Sequence, residues 1–451
     1  MKICKIYIKD FQQFKDIELD FTNPTTGEPL DKICFIGRNG TGKSTLLNII
    51  KSEFEEDIFL MSGVIAIVLK VLNDNFTLIY YGKETPIIFK NLPTKNHKWI
   101  KDYVKQFVEK RTINSAVDPY YLSPREQEDF LKSKVLKKNS NDLLAYIPPE
   151  STVNILNGFN GIPNTTLNEA LKLFNDFPYY HEISNNTVNE FWKLLIFLVK
   201  LRENDRNIFE NLSQNINKTK RQLIEEFDEK NPQILKKISI IWDKILSKSD
   251  LEFDYKNAQN PIQLSENLKA YIKLKSTGET IQYNQLSTGI RNFIFRLGHI
   301  YSLYFNREIK NGFLLVDEPE NSLYPDFLFD LVETYLEVIK DKNGENNTQF
   351  FVATHNPIIA AQFAPYERII LDWNNDGTVS ARKGTAPIGD DPNDILTSDF
   401  ELKNLMGKEG LKMWEKYVDL KKQLHRAKNK DEKDNLIAEI SRIGSLYNFE
   451  A

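Results

Sequence analysis

Apolar and polar residues alternate from the start of the chain, through Ile3, Ile6 and Ile8, then Ile17, Leu19 and Phe21, then Ile33, Phe35 and Ile36. Period-two patterning of this kind predicts three strands, with a turn at Pro24–Gly27 between the last two. A helix is expected from Ser44 to Glu55. Strands follow at Val64–Leu72, Phe76–Tyr81 and Ile87–Phe89, punctuated by Asn73, Asp74 and Gly82. From about Lys90 to Asn260 apolar residues recur at intervals of three and four, as in Val188–Arg202 and Ile208–Phe227, so this block is expected to be mainly helical. Strand character returns at Leu251–Tyr255, Leu268–Leu274 and Ile281. After an amphipathic helix at Arg291–Tyr304, Phe313–Val316 and Phe350–Ala353 are short, wholly apolar runs, the pattern of parallel strands covered on both faces. Arg368–Trp373 and Thr378–Ala381 flank Asn374-Asn375-Asp376-Gly377, a hairpin signal. A Pro387–Pro392 linker leads to a charged tail. There Leu411, Trp414, Val418 and Leu424, then Leu436, Ile440 and Ile443, mark two helices broken at Asn429-Lys430-Asp431.

Composition narrows the classes. A chain of 451 residues exceeds what one core organises, so two or three substructures are expected. With 41% hydrophobic and 27% charged residues it is not collagenous, disordered or membrane-embedded. The net charge of -4 supplies no global basic field, so any nucleic-acid contact has to come from a local patch. Only Cys4 and Cys34 are present, both in strand-like apolar runs. They read as small buried hydrophobes of a reducing compartment, not as a disulfide framework or a metal site. No stretch approaches the roughly 20 apolar residues that cross a bilayer. A cytoplasmic protein without a membrane anchor is expected.

Gly37-Arg38-Asn39-Gly40-Thr41-Gly42-Lys43-Ser44 matches GxxxxGK[ST], after a strand ending at Ile36 and before a helix starting at Thr45. The glycines permit a tight path on which successive backbone N–H groups point at a phosphate from a helix N-terminus. Arg38 through Thr45 are therefore the candidate nucleotide contacts. Lys43 is expected to bridge the β- and γ-phosphates of ATP, and Ser44 to offer its hydroxyl to Mg²⁺. Asp317-Glu318 follows the apolar strand Phe313–Val316, which delivers both carboxylates to the carboxyl edge of a sheet. Asp317 is placed to hold the metal, and Glu318 to orient and deprotonate a water. Leu286-Ser287-Thr288-Gly289-Ile290 precedes a helix, where a serine can bind phosphate or simply cap. Glu320-Asn321-Ser322-Leu323-Tyr324-Pro325 and Thr354-His355-Asn356-Pro357 each leave one of the two buried strands.

The order of these segments resembles the ABC-type ATPase head, and the opening Ile6–Phe14 and the bisected arrangement resemble its RecF, SMC and OLD-type branch. The resemblance covers about Met1–Lys90 and Leu251–Lys383. It implies an α/β fold: a head with a mixed sheet and flanking helices, bisected by a mainly helical insertion and followed by a C-terminal helical hairpin. The implied organisation is 1–90 and 251–384 as the two lobes of the head, 91–250 as the insertion and 385–451 as linker and hairpin. It also implies that Ser287 and Gly289 contact the γ-phosphate held by a second copy, that His355 senses that phosphate, and that the assembly is a homodimer or a higher even oligomer. The chain departs from the family pattern at Thr288, where glycine is commonest, at Ile290-Arg291, and at Gln12, where relatives often carry an arginine near the adenine. No clear Gln-loop is visible, although Tyr146-Ile147-Pro148-Pro149 could be the corresponding strand exit.

Two further segments bear on partners. Lys90–Arg111 carries seven Lys or Arg against Asp102 and Glu109, with Trp99, Tyr103 and Phe107 spaced by four. It reads either as a DNA-backbone contact with aromatic support or as a helix with a buried aromatic stripe and a solvated basic face. The tail reads either as a packing or dimerising element or as a docking site. Head, modest insertion and terminal hairpin together look like the stand-alone ATPases of bacterial antiphage systems, such as the Septu ATPase PtuA, which implies a separate HNH-type nuclease as partner and no nuclease activity in this chain alone. A RecF- or SMC-like DNA-binding repair ATPase is the alternative.

Overall fold

The computed structural model describes residues 1–54, 63–81, 86–92, 120–134, 142–149, 180–183, 202–231, 239–243, 246–254, 272–281, 285–306, 309, 311–321, 323–340, 344–389 and 391–449. The strands are β1 (Lys2–Phe11), β2 (Phe14–Asp20), β3 (Lys32–Gly37), β4 (Val64–Val71), β5 (Asp74–Tyr81), β6 (Ile87–Lys90), β7 (Asp142–Ile147), β8 (Tyr180–Glu182), β9 (Leu251–Phe253), β10 (Ile272–Leu274), β11 (Thr280–Ile281), β12 (Asn311–Asp317), β13 (Thr348–Thr354), β14 (Arg368–Trp373) and β15 (Val379–Lys383). The chain divides into two compact units, 1–389 and 390–451.

In the first unit, alternation turns into an antiparallel sheet ordered β2-β1-β4-β5-β6. Ile6 and Ile8 of β1 are fully buried, as are Ile65 and Ile67 of β4. The wholly apolar runs instead form the centre of a seven-stranded sheet, β15-β14-β3-β13-β12-β7-β8, parallel throughout except for β15. The expected mixed α/β architecture is thus present. The helix Lys43–Phe54 packs Leu46, Leu47, Ile49 and Ile50 into one core with residues of both sheets. Phe21, Phe35 and Phe351 meet at 5.6–6.1 Å between ring centres within that core. A short three-stranded sheet, β11-β10-β9, stands apart from these two.

One expectation needs correction. The segment 91–250 does not lie wholly outside the head, because β7 pairs in parallel with β12 and β8 pairs in parallel with β7. The run Leu143-Leu144-Ala145-Tyr146-Ile147 is buried at every position, so it behaves like β12 and β13 rather than like a helix face. Ile208–Phe227 is also not one helix: residues 202–210 are helical, a turn with a 3-10 stretch follows, and a second helix begins at Lys220. Thr219 caps that second helix, its hydroxyl accepting from the Gln222 N–H while the Gln222 side chain accepts from the Thr219 N–H. Trp99, Tyr103, Phe107 and nearly all of the basic segment Lys90–Arg111 lie outside the described residues, as do most of Val188–Arg202 and Leu268–Tyr271. Lys90 itself is paired with Asp74 at 2.9 Å.

The second unit holds a short helix, Pro392–Ser398, capped by Asp391, and two long helices, Lys408–Arg426 and Lys430–Tyr447, that pack together. Their seam differs from the expected one. Tyr417, Ile440 and Ile443 are buried with Met413, Leu420 and Leu424 against them, whereas Trp414 is exposed. Burying Tyr417 rotates the first helix by about one position, and Trp414 is left to cover Tyr417 and Phe449 from the rim. Among the described residues no helix is long and apolar enough to cross a membrane.

Candidate nucleotide site

β3, β13 and β12 are neighbours and run parallel, so the segments that leave their carboxyl ends emerge side by side. The register is close: Asp317 stands opposite Ala353, and Ala353 opposite Phe35. This brings together the loop Gly37–Ser44, the pair Asp317-Glu318 and the segment Thr354-His355.

The loop has the backbone that its glycines allow. Gly40 and Gly42 take φ of 82° and 99°, and a Cβ on Gly42 would collide with Gln13 and Phe14. Thr41 closes the turn, its hydroxyl donating to the Arg38 carbonyl at 2.8 Å. Lys43 is buried and donates to the Gly37 carbonyl at 2.9 Å. Burial lowers the pKa of its ammonium, and the negative charges of Glu318, Asp317 and Glu320 oppose that shift. The lysine therefore sits in the field of all three carboxylates.

Asp317 is 1% exposed, and burial raises its pKa from 3.8 to about 6. The Ser44 hydroxyl and Lys43 pull it down, and Glu318 and Glu320 push it up. Although Ser44 is close enough to act on the charge, neither carboxylate oxygen of Asp317 has a partner in hydrogen-bonding geometry. Two orphaned carboxylate oxygens beside a hydroxyl form a hard-oxygen donor set that suits Mg²⁺. Glu318 is held differently. It takes φ of 48°, unusual for a residue with a side chain, while its N–H continues the sheet by donating to the Ala353 carbonyl at 2.8 Å. Asn321 donates to Glu318 Oε2 at 3.1 Å. His355 Nδ1 lies 3.6 Å from Glu318 Oε1 and 3.8 Å from Glu320 Oε1, with its ring about half exposed.

Ser287 and Gly289 are not part of this cluster. Ser287 Oγ accepts from the Ile290 N–H at 3.3 Å and so caps the helix Thr288–Asn306, and Gly289 is buried. Among the described residues no hydrogen bond or ion pair links either to the loop or to the carboxylates. Other residues join it, among them Gln12 and Glu320 from the opening and strand-exit segments, and Gln13 and Trp373, to which the sequence assigned no role. The β1–β2 turn brings Gln13 Nε2 to the Gly40 carbonyl at 3.4 Å and Gln12 Oε1 to the Thr45 hydroxyl at 3.5 Å. Trp373, at the end of β14, would touch a Cβ on Gly40 at 3.6 Å. Glu320 is buried, and its Oε1 accepts from the Thr354 hydroxyl at 2.6 Å and the His355 N–H at 3.1 Å. A third acid two residues past a strand-end carboxylate pair was the available signal for Glu320. Trp373 had none, because only the sheet order places it beside the loop.

Residues 1–360 match the family model of the AAA ATPase domain. The chain belongs to that family. Solved structures similar to this ATPase include the SMC head domain from Thermotoga maritima, at 14% identity over 86% of this chain and all of that one, with a TM-score of 0.37. A bacterial ABC transporter cassette described as dimeric is similar at 14% identity over 84% of this chain and 98% of that one, with a TM-score of 0.27. No curated protein matches the sequence.

Proposed function

We propose that this chain is an ABC-type ATPase of the SMC and RecF branch that hydrolyses ATP at a site completed by a second copy. The reading rests above all on Asp317-Glu318 arriving, with two orphaned oxygens and one strained backbone, in the field of the phosphate-loop lysine. The backbone N–H groups of Arg38–Ser44 and the start of the helix at Thr45 hold the phosphates, and Lys43 turns from its own loop carbonyl to the γ-phosphate. Ser44 and Asp317 hold Mg²⁺, which supplies charge neutralisation and polarises the phosphate oxygens when bound. Glu318 Oε1 takes a proton from the attacking water. The water oxygen bonds to the γ-phosphorus, the bond from phosphorus to the β–γ bridging oxygen breaks, and ADP leaves. His355 contacts the γ-phosphate in the same copy. Ser287 and Gly289, with no hydrogen bond to their own loop among the described residues, reach the nucleotide of the other copy, which makes the functional unit a homodimer or a higher even oligomer.

The finer reading is that nucleotide state gates a separate HNH-type nuclease in antiphage defence, docked through residues 385–451. Its support is that the tail folds as its own unit and leaves Leu405, Met406, Ile437 and Leu446 exposed. Copurification with such a nuclease, lost on deleting 390–451, tests this part.

Glu318→Gln tests the core reading. Nucleotide binding should persist, phosphate release should fall by roughly 10²–10⁴-fold, and sedimentation with ATP and Mg²⁺ should show an accumulated dimer. Mixing Lys43→Ala with Ser287→Arg chains should restore one intact site per mixed dimer. An unchanged mass for Glu318→Gln, or fully inactive mixtures despite proven mixing, would overturn the shared site.

A further inference from the structure

Glu320 is an acid where the chemistry above has no use for one. It is 8% exposed, its Oε1 serves the Thr354 hydroxyl and the His355 N–H, and its Oε2 is buried without a hydrogen-bond partner. Among the described residues no Lys or Arg forms an ion pair with it; His355 Nδ1 lies 3.8 Å from its Oε1. A buried carboxylate in such surroundings is unfavourable unless its placement does something. What it does is visible in the connections. β12 and β13 end side by side, and the segments beyond them are stitched three times. Glu318 N–H donates to the Ala353 carbonyl, Thr354 Oγ1 donates to Glu320, and His355 N–H donates to the same oxygen.

The intervening turn carries the second half of the device. Asn321 N–H donates to the Glu318 carbonyl at 3.3 Å, and Asn321 Nδ2 donates to Glu318 Oε2 at 3.1 Å. One carboxylate oxygen of Glu318 is thereby engaged and its φ of 48° is locked. The other oxygen, Oε1, faces His355 Nδ1. Each of the two groups assigned to the reacting phosphate is therefore held by one of two consecutive residues.

We propose that Glu320 and Asn321 are a positioning pair: Glu320 fixes the backbone of His355 against the Asp317-Glu318 strand, and Asn321 aims Glu318 so that Oε1 is the oxygen offered to water. This rests on the ATPase reading above. Neither residue touches the reacting atoms. Both act on the distance between base and sensor, and displacements of about 1 Å in such constellations lower rates by about 10².

The test is steady-state phosphate release by the full chain with ATP and Mg²⁺, with nucleotide binding followed separately by a fluorescent ATP analogue. Glu320→Ala and Asn321→Ala should each lower kcat by roughly 10–100-fold with KM and analogue affinity changed less than about twofold. Glu320→Gln, which keeps an acceptor oxygen for Thr354 and His355, should recover kcat to within about fivefold of the unaltered chain. Thr354→Val added to Glu320→Ala should cost little more, since both act through one contact. Normal kcat in Asn321→Ala, an equal rise in KM, or Glu320→Gln as slow as Glu320→Ala would overturn positioning. Asn321 is only half-buried, so its variant keeps the test open should Glu320→Ala fail to fold. Normal phosphate release from Lys43→Ala and Glu318→Gln would sink the ATPase reading itself. Inactive Lys43→Ala beside fully active Glu320→Ala and Asn321→Ala would sink the positioning alone.

Discussion

The two edges of the seven-stranded sheet handle buried polarity in opposite ways. At the amino edge Gln349, Thr348 and Asn311 each find partners. Gln349, fully buried at the start of β13, accepts from the Ile3 N–H at 2.7 Å and donates to the carbonyls of Ile3 and Leu30 at 2.9 Å. It does so where the β1–β4 register shifts between Ile3 and Lys5, so it serves backbone groups beside that irregularity and sews the two sheets together. The Thr348 hydroxyl donates to Tyr304 Oη at 3.1 Å there, and Asn311 donates to Asp142 at 2.8 Å. At the carboxyl edge both oxygens of Asp317 and one of Glu320 are buried without hydrogen-bond partners, and Glu318 is strained. Satisfied polarity fastens the sheet at one edge, and unsatisfied polarity is left at the other, where the proposed nucleotide site lies.

That contrast can be broken at either edge. The largest effect is expected from Lys43→Ala, which should lower phosphate release by at least about 10²–10³-fold while leaving the thermal midpoint near that of the unaltered chain. A large loss of stability instead would show that the carboxyl edge is structural. At the other edge, Gln349→Leu strands two carbonyls and an N–H and should cost about 3–5 kcal/mol of stability, read from the denaturant midpoint. Its kcat should stay close to normal wherever it is folded. Near-normal stability for that variant would erase the distinction.

The smallest effect is one of pH. Asp317 has a folded pKa of about 6 against 3.8 for its ordinary value. Between those values the native chain holds a proton that the unfolded chain has released, so stability falls as pH rises through this window. Above about pH 6 the full penalty of the buried charge is present. Asp317→Asn should remove that slope, leaving the variant more stable than the unaltered chain at neutral pH by on the order of 2 kcal/mol, yet inactive. Parallel pH–stability curves for the two proteins would show that the orphaned carboxylate carries no strain.

Most of this was legible in the linear chain because it depends on short-range patterning. Alternation located β1, β2 and β3, apolar runs located β12 and β13, and Gly40 and Gly42 of the phosphate loop lie where left-handed backbone is needed. The pairing of Asp317 and Glu318 with the end of a buried strand was also local. The tail seam was misplaced by about one position for a physical reason: Trp414 and Tyr417 are both apolar enough to be buried, and only packing against the second helix chooses Tyr417.

What the order of residues could not decide is which strand lies beside which. β7 falls within a block that reads as mainly helical, with only Tyr146-Ile147-Pro148-Pro149 hinting at a strand exit, yet pairing with β12 places it in the main sheet. The same sheet order sets Trp373 beside Gly40, Glu320 beneath His355 and Gln349 under Ile3, partners separated by 333, 35 and 346 positions. Such contacts arise because parallel strands from distant parts of the chain end at a common edge, where their exits become neighbours. Local propensity determines the elements; only the closure of the sheet decides which exits meet and which charges go unpaired.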